Sequence, residues 1–184
     1  MKRKITFLIF ICPLLYGQRA DFFKENITFH LDSIYFSVEG YYWFSNNSNK
    51  SNYADIFYPF PNYSDEKIDS INVFNVSAER EIKFIKEGIH GISFNLFIES
   101  FDTVLFQIRY RQRLNSDSAV YILRTTQGWD KPLISAVYNL IVSKSFEIKK
   151  FIYPPVKSYQ IGNKNIYIWR MRNFMPLRDM IFHF

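Results

Sequence analysis

The residue types able to do chemistry are few and scattered along the chain. His30, His90 and His183 stand apart, with no second histidine or carboxylate at the spacing of a metal-ligand set. Catalytic zinc generally takes three protein ligands, so no metal site is expected. Asp65 with Glu66 and Glu79 with Glu81 are the visible acid clusters, and both adjoin turns, where solvated charge is the expected role. G-x-S-x-G, H-E-x-x-H, a Walker loop and an EF-hand loop are all absent. The expectation is a non-catalytic protein without a cofactor, with a binding or envelope-structural role. Two other patterns suit binding. Arg109, Arg111 and Arg113 alternate, which on a strand puts three guanidinium groups on one face at steps of roughly 7 Å. Such a stripe could hold sulfate, phosphate or an acidic polysaccharide through bidentate contacts, or it guards a sheet from edge pairing. Tyr35, Glu39, Tyr41 and Trp43 also fall on one strand face. Flat rings flanked by a carboxylate suit a sugar; the alternative is burial under C-terminal strands, with Trp169 and Tyr167 as neighbours.

The elements that must position these groups read as strands. Phe and Tyr number 20 and 13, an excess of strand-favouring types that argues against disorder and against a helical bundle. After a polar lead-in from Gln18 to Glu25, Ile27, Phe29 and Leu31 alternate as a first short strand. A long strand from Ile34 to Phe44 follows, interrupted at Gly40, where a bulge or a close contact is expected. An Asn/Ser loop then returns the chain through Tyr53 to Tyr58, stopped by Pro59 and Pro61. Short strands are predicted over 71–77 and 81–85. Ile92 to Glu99 and Val104 to Arg113 alternate clearly and predict a hairpin turned at Ser100 to Asp102.

The polar cluster Asn115 to Ser118 divides an N-terminal sandwich lobe, 27–113, from a C-terminal segment, 118–184, packed on it or completing the same domain. That segment holds a strand from Val120, a turn at Gln127 to Pro132, and a face of Ile134, Ala136, Tyr138, Leu140 and Val142. The predicted fold is an all-β antiparallel sandwich, as one domain or two packed β lobes. Met180, Phe182 and Phe184 alternate to the end of the chain, a pattern shared with the terminal strand of eight-stranded outer-membrane β-barrels, which is the alternative. Arg178 on the same face, and Pro59, Pro61, Pro154 and Pro155, favour the sandwich, because proline is poorly tolerated in a closed ladder.

Residues 1–17 combine three basic residues, an apolar run and a closing glycine, the layout of a cleaved secretory signal peptide. The apolar run is about 12 residues, against roughly 20 needed to span a bilayer, so no transmembrane span is expected after cleavage. Export to the periplasm, the medium or the cell surface follows. Cys12 is the only cysteine and would leave with that segment, so neither disulfides nor thiolate chemistry are available. Lys2, Arg3 and Lys4 would leave too, lowering the formal net charge from +6 to +3. That value gives no reason to invoke nucleic acid. The expected partners are a glycan or another envelope protein.

Three clusters carry a resemblance: Y-Y-W-F-S-N followed by Y-P-F-P, then Y-I-L-R-T-T-Q-G-W-D-K-P-L, then Y-I-W-R-M-R-N-F-M-P-L-R-D-M. Together they resemble bacterial exported β-sandwich families of unknown function, with a strand ending in F-x-N, an F-P-x-P turn and a late W-x-x-x-N-F-x-P. More distantly, the first cluster resembles the start of the vault and inter-alpha-trypsin inhibitor type domain. The resemblance implies a sandwich and no catalytic residue.

Overall fold

The computed structural model describes residues 20–61, 68–88 and 90–184; the expected signal segment, and Asp65 with Glu66, lie outside these. Among the described residues the regular structure is almost entirely strand, and most residues lie in strands: β1 (Asp21–Leu31), β2 (Tyr35–Ser45), β3 (Asn52–Pro59), β4 (Ile68–Asn75), β5 (Arg80–Glu81), β6 (Ile85–Lys86), β7 (Gly91–Ile98), β8 (Thr103–Arg113), β9 (Ser118–Tyr121), β10 (Leu133–Ser143), β11 (Lys150–Phe151), β12 (Lys157–Ile161), β13 (Lys164–Phe174) and β14 (Met180–His183). A single 3-10 turn (Arg124–Trp129) separates β9 from β10. No helix among these residues is long and apolar enough to cross a membrane.

One layer is an eight-stranded sheet in the order β12-β13-β10-β1-β2-β8-β4-β5, and the other is split into two three-stranded sheets, β3-β7-β6 and β11-β14-β9. None of these sheets closes on itself, so the architecture is a β-sandwich and the barrel alternative does not hold. Pairing is antiparallel except between β1 and β10, which run parallel from Lys24 opposite Ser135 to Leu31 opposite Val142. Through that pair, β10, β12 and β13 extend the sheet that β1, β2 and β8 begin.

Two expected hairpins are instead arches between layers. β2 and β3 are consecutive, yet β2 pairs with β1 and β8 while β3 pairs with β7. Likewise β8 pairs with β2 and β4, and not with β7. Alternation identifies the buried face of a strand but not its neighbour, and two strands with apolar inner faces satisfy the pattern equally by facing each other across a core. The two arches are stacked and clamped by Asn46, which is buried. Its backbone N–H donates to the Asp102 carbonyl (2.9 Å), and its amide donates to the carbonyls of Lys50 (2.8 Å) and Glu99 (2.9 Å). Its Oδ1 accepts from the Ser48 hydroxyl (2.7 Å).

The core is aromatic. Phe29 on β1 lies 5.4 Å from Phe36, 5.2 Å from Tyr121 and 5.4 Å from Phe182, joining the large sheet to the β11-β14-β9 sheet. Phe106 on β8 meets Phe94 on β7 edge-on at 5.4 Å and joins the large sheet to the β3-β7-β6 sheet. Such contacts contribute beyond area burial because ring edges and faces carry opposite partial charge.

Gly40 marks a close contact rather than a bulge, since its register continues unbroken opposite Ile27 and Ile108. The irregularity in this region is on β1, between Phe22 and Lys24. A Cβ at Gly40 would run into the Tyr42 hydroxyl and ring, and that ring is held by two other tyrosines. Gly40→Ala is therefore expected to destabilise the fold by about 1–3 kcal/mol, the usual range for overpacking. The urea midpoint measures it, and an unchanged midpoint would show that the Tyr42 ring can yield.

Candidate functional site

Both binding patterns seen in the sequence lie on the outer face of the large sheet, and the register brings them together. β2 and β8 are neighbours, with Tyr35 opposite Arg113, Ser37 opposite Arg111, Glu39 opposite Arg109, Tyr41 opposite Gln107 and Trp43 opposite Leu105. Alternate residues of β2 are buried against the core, leaving Tyr35, Glu39, Tyr41 and Trp43 half-buried on the other side. The C-terminal strands do not cover them. Trp169 is fully buried on the inner face against Phe151 and Phe182, because β13 joins the same sheet edge to edge instead of stacking on it.

Cations and rings are interleaved across this face. The Lys24 ammonium lies 4.2 Å from the centre of the Trp43 ring, and the Arg111 guanidinium 4.1 Å from that of Tyr35. The Gln107 amide donates to Glu39 Oε1 (2.6 Å), Tyr41 donates to the same oxygen (3.4 Å), and Arg109 Nε donates to Gln107 Oε1 (2.9 Å). Arg111 is tied to Asp69 by two bonds of 2.8 and 3.1 Å. The bonds from this guanidinium hold the Asp69 carboxyl below the usual carboxylate range.

β13 adds cations that sequence reading did not single out. Arg172 stands opposite Ser135 and Arg170 opposite Val137 on β10, and the same rows continue through Lys24 and Asn26 on β1 to Trp43 and Tyr41 on β2. Lys157 on β12 and Lys164 on β13 share this face. Basic residues on it thus include Lys24, Lys157, Lys164, Arg109, Arg111, Arg113, Arg170 and Arg172, against Asp21, Glu39, Asp69 and Glu81. The alternation Arg170, Arg172 was visible in the sequence; the adjacency of β13 to β10 and β1 was not.

The histidines are not gathered: His30 is exposed on β1, His90 lies in the turn before β7, and His183 is on β14. Glu79 and Glu81 are both exposed. Among the described residues no three of His, Cys, Asp and Glu are grouped to hold a metal ion.

A second polar cluster is buried. Glu25 continues the inward alternation of Ile27, Phe29 and Leu31 and is only 2% exposed. It accepts a hydrogen bond from the Tyr138 hydroxyl on β10. Burial pushes its carboxyl up to about 7, the Tyr138 bond opposing only part of this. Beside it, the Tyr42 hydroxyl of the large sheet meets Tyr58 on β3 (2.9 Å) and Tyr121 on β9 (3.0 Å), so one oxygen ties all three sheets. Burial raises all three phenols well above their ordinary value. Reading period two backwards from Leu31 would have found Glu25.

The fold defined by these layers is a split-layer β-sandwich, and solved structures share it. A candidate nutrient-binding protein from Legionella pneumophila superposes with a TM-score of 0.69 at 13% identity, over 90% of this chain and 67% of that one. An M1 zinc metallopeptidase from Deinococcus radiodurans superposes with a TM-score of 0.56 at 10% identity, over 91% of this chain and 43% of the peptidase. The chain therefore spans about two thirds of the first protein and less than half of the second, and at these identities the likeness is one of fold. No family model matches the sequence, and no curated protein matches it.

Proposed function

We propose that this chain is an exported, non-catalytic binding domain that holds an acidic glycan on the outer face of its large sheet. The observation that supports this reading is the β2–β8 register, which sets the aromatic row Tyr35, Tyr41 and Trp43 beside Arg109, Arg111 and Arg113. Rings cover the apolar C–H faces of a sugar, and guanidinium groups pair its sulfates or carboxylates in bidentate fashion. The platform from Tyr35 to Trp43 extends about 27 Å along the strand, and Arg172 lies about 10 Å across the sheet from Lys24, from ordinary strand rise and spacing. These dimensions suit a polymer better than a single small anion. The fold it shares with a candidate nutrient-binding protein is compatible with such a role.

Retention on immobilised heparin tests the reading. The purified chain is expected to elute progressively earlier as salt rises, as release of condensed counterions requires. Arg113→Ser combined with Arg170→Ser and Arg172→Ser should abolish most of the retention, because none of these arginines stands opposite a carboxylate in the register. Trp43→Ala should weaken binding by roughly 1 kcal/mol or more, the cost of losing an aromatic anchor. Unchanged elution of the triple variant would exclude this face as the binding surface.

A further inference from the structure

The two small sheets are not continuous, and the seam between β3 and the 3-10 turn leads to a cavity of about 50 Å³. Phe57, Pro59, Ile122 and Thr125 border it from the two sides, and Glu25, Tyr42, Tyr58 and Tyr121 line its polar part. Aromatic rings complete the wall: Phe22 stacks on Phe44 at 4.8 Å, and Trp129 meets Phe44 edge-on at 5.0 Å. We propose that this cavity binds a small protonated amine, an ammonium or methylammonium-sized group, with the Glu25 carboxylate as its counter-charge.

The lining has more acceptors than donors. The three tyrosine hydroxyls offer six lone-pair positions and three donors, of which their two mutual bonds use two each; Thr125 and Thr126 add hydroxyls that can do either, and the ionised carboxylate adds acceptors alone. An ammonium group carries donors and no acceptor, so it complements such a lining, whereas an anion would face Glu25 directly. The carboxyl has no cation of its own: among the described residues its bonded partner is the Tyr138 hydroxyl, and the groups around it from β2, β3, β9 and β10 are the tyrosines Tyr42, Tyr58, Tyr121 and Tyr138. A space of this size holds one or two water-sized groups. The site uses none of the outer-face residues and stands independently of the glycan reading.

Thermal unfolding of the purified chain tests it, in methylammonium chloride against sodium chloride of equal ionic strength, at about pH 8.5, where an aliphatic amine is still protonated. A saturable rise in melting temperature is expected, about 3 to 6 °C at tenfold excess over Kd. It should vanish near pH 4, where the carboxyl is neutral, and in Glu25→Gln. Thr126→Leu, which fills the cavity and leaves the Glu25–Tyr138 pair in place, should also remove it and serves if Glu25→Gln does not fold. Identical melting curves in the two salts at the higher pH would mean that the cavity holds solvent only, and an undiminished rise in either variant would place the amine elsewhere; both results overturn the proposal.

Discussion

Between pH 4.5 and 7 the fold is expected to lose about 3 kcal/mol of stability through one residue, Glu25. Its carboxyl titrates near 7 when buried and near 4.5 in the unfolded chain, so across this window the native state holds a proton that the unfolded state has released. Unfolding then becomes easier as pH rises. Below about 4.5 both states are protonated and the contribution is complete; above about 7 both are ionised and it is gone. Desolvation is the cause, because the Tyr138 hydroxyl can stabilise the charge only in part. Urea unfolding at a series of pH values measures the effect. Glu25→Gln keeps an acceptor for Tyr138 and cannot ionise, so its stability should stay nearly flat over the same window. Parallel curves for the two proteins would assign the pH dependence to other groups.

Removing one ring near the end of the chain should have an effect at least as large. Phe182 on β14 is fully buried and meets Phe29, Phe36, Phe151 and Trp169 at centroid distances of 5.4 to 6.2 Å. Phe182→Ala is expected to cost about 3–5 kcal/mol, combining lost transfer energy with an unfilled cavity. For a domain of this size that corresponds to a fall in melting temperature on the order of 6–20 °C. Phe184, two residues on, is half-buried and touches Phe146 at 4.9 Å, so Phe184→Ala should cost clearly less. Differential scanning calorimetry of the two variants separates them. Equal losses would contradict the central place of β14 in the second layer. The terminal aromatic alternation thus supports a sandwich core and not a lipid-facing strand.

Local chemistry in the sequence determined the strands and their faces. Period two in Tyr35–Ser45, Thr103–Arg113 and Leu133–Ser143 assigned Val38, Phe106 and Tyr138 to one side and Glu39, Arg109 and Asn139 to the other, because each strand must hide one face from water. Gly40 announced either a bulge or a close contact, which the structure resolves as the contact, and the Asn/Ser stretch after Ser45 announced a connection. The sequence also contained the aromatic and arginine rows of the outer face as separate alternations. What only the tertiary structure decided was which strands are neighbours. An arch and a hairpin have the same alternation and similar loops, so the Asn46 clamp that sends β3 and β7 to the opposite layer could not be read from period alone. The parallel entry of β10 beside β1 is equally non-local, and it carries Arg170 and Arg172 to within reach of Lys24 and Trp43. Glu25 looked like part of a polar lead-in because charge normally seeks water. Period two from Leu31 turns that position inward, but the partner that makes an inward carboxyl tolerable, the Tyr138 hydroxyl, arrives from over a hundred residues away and could not be read from the sequence.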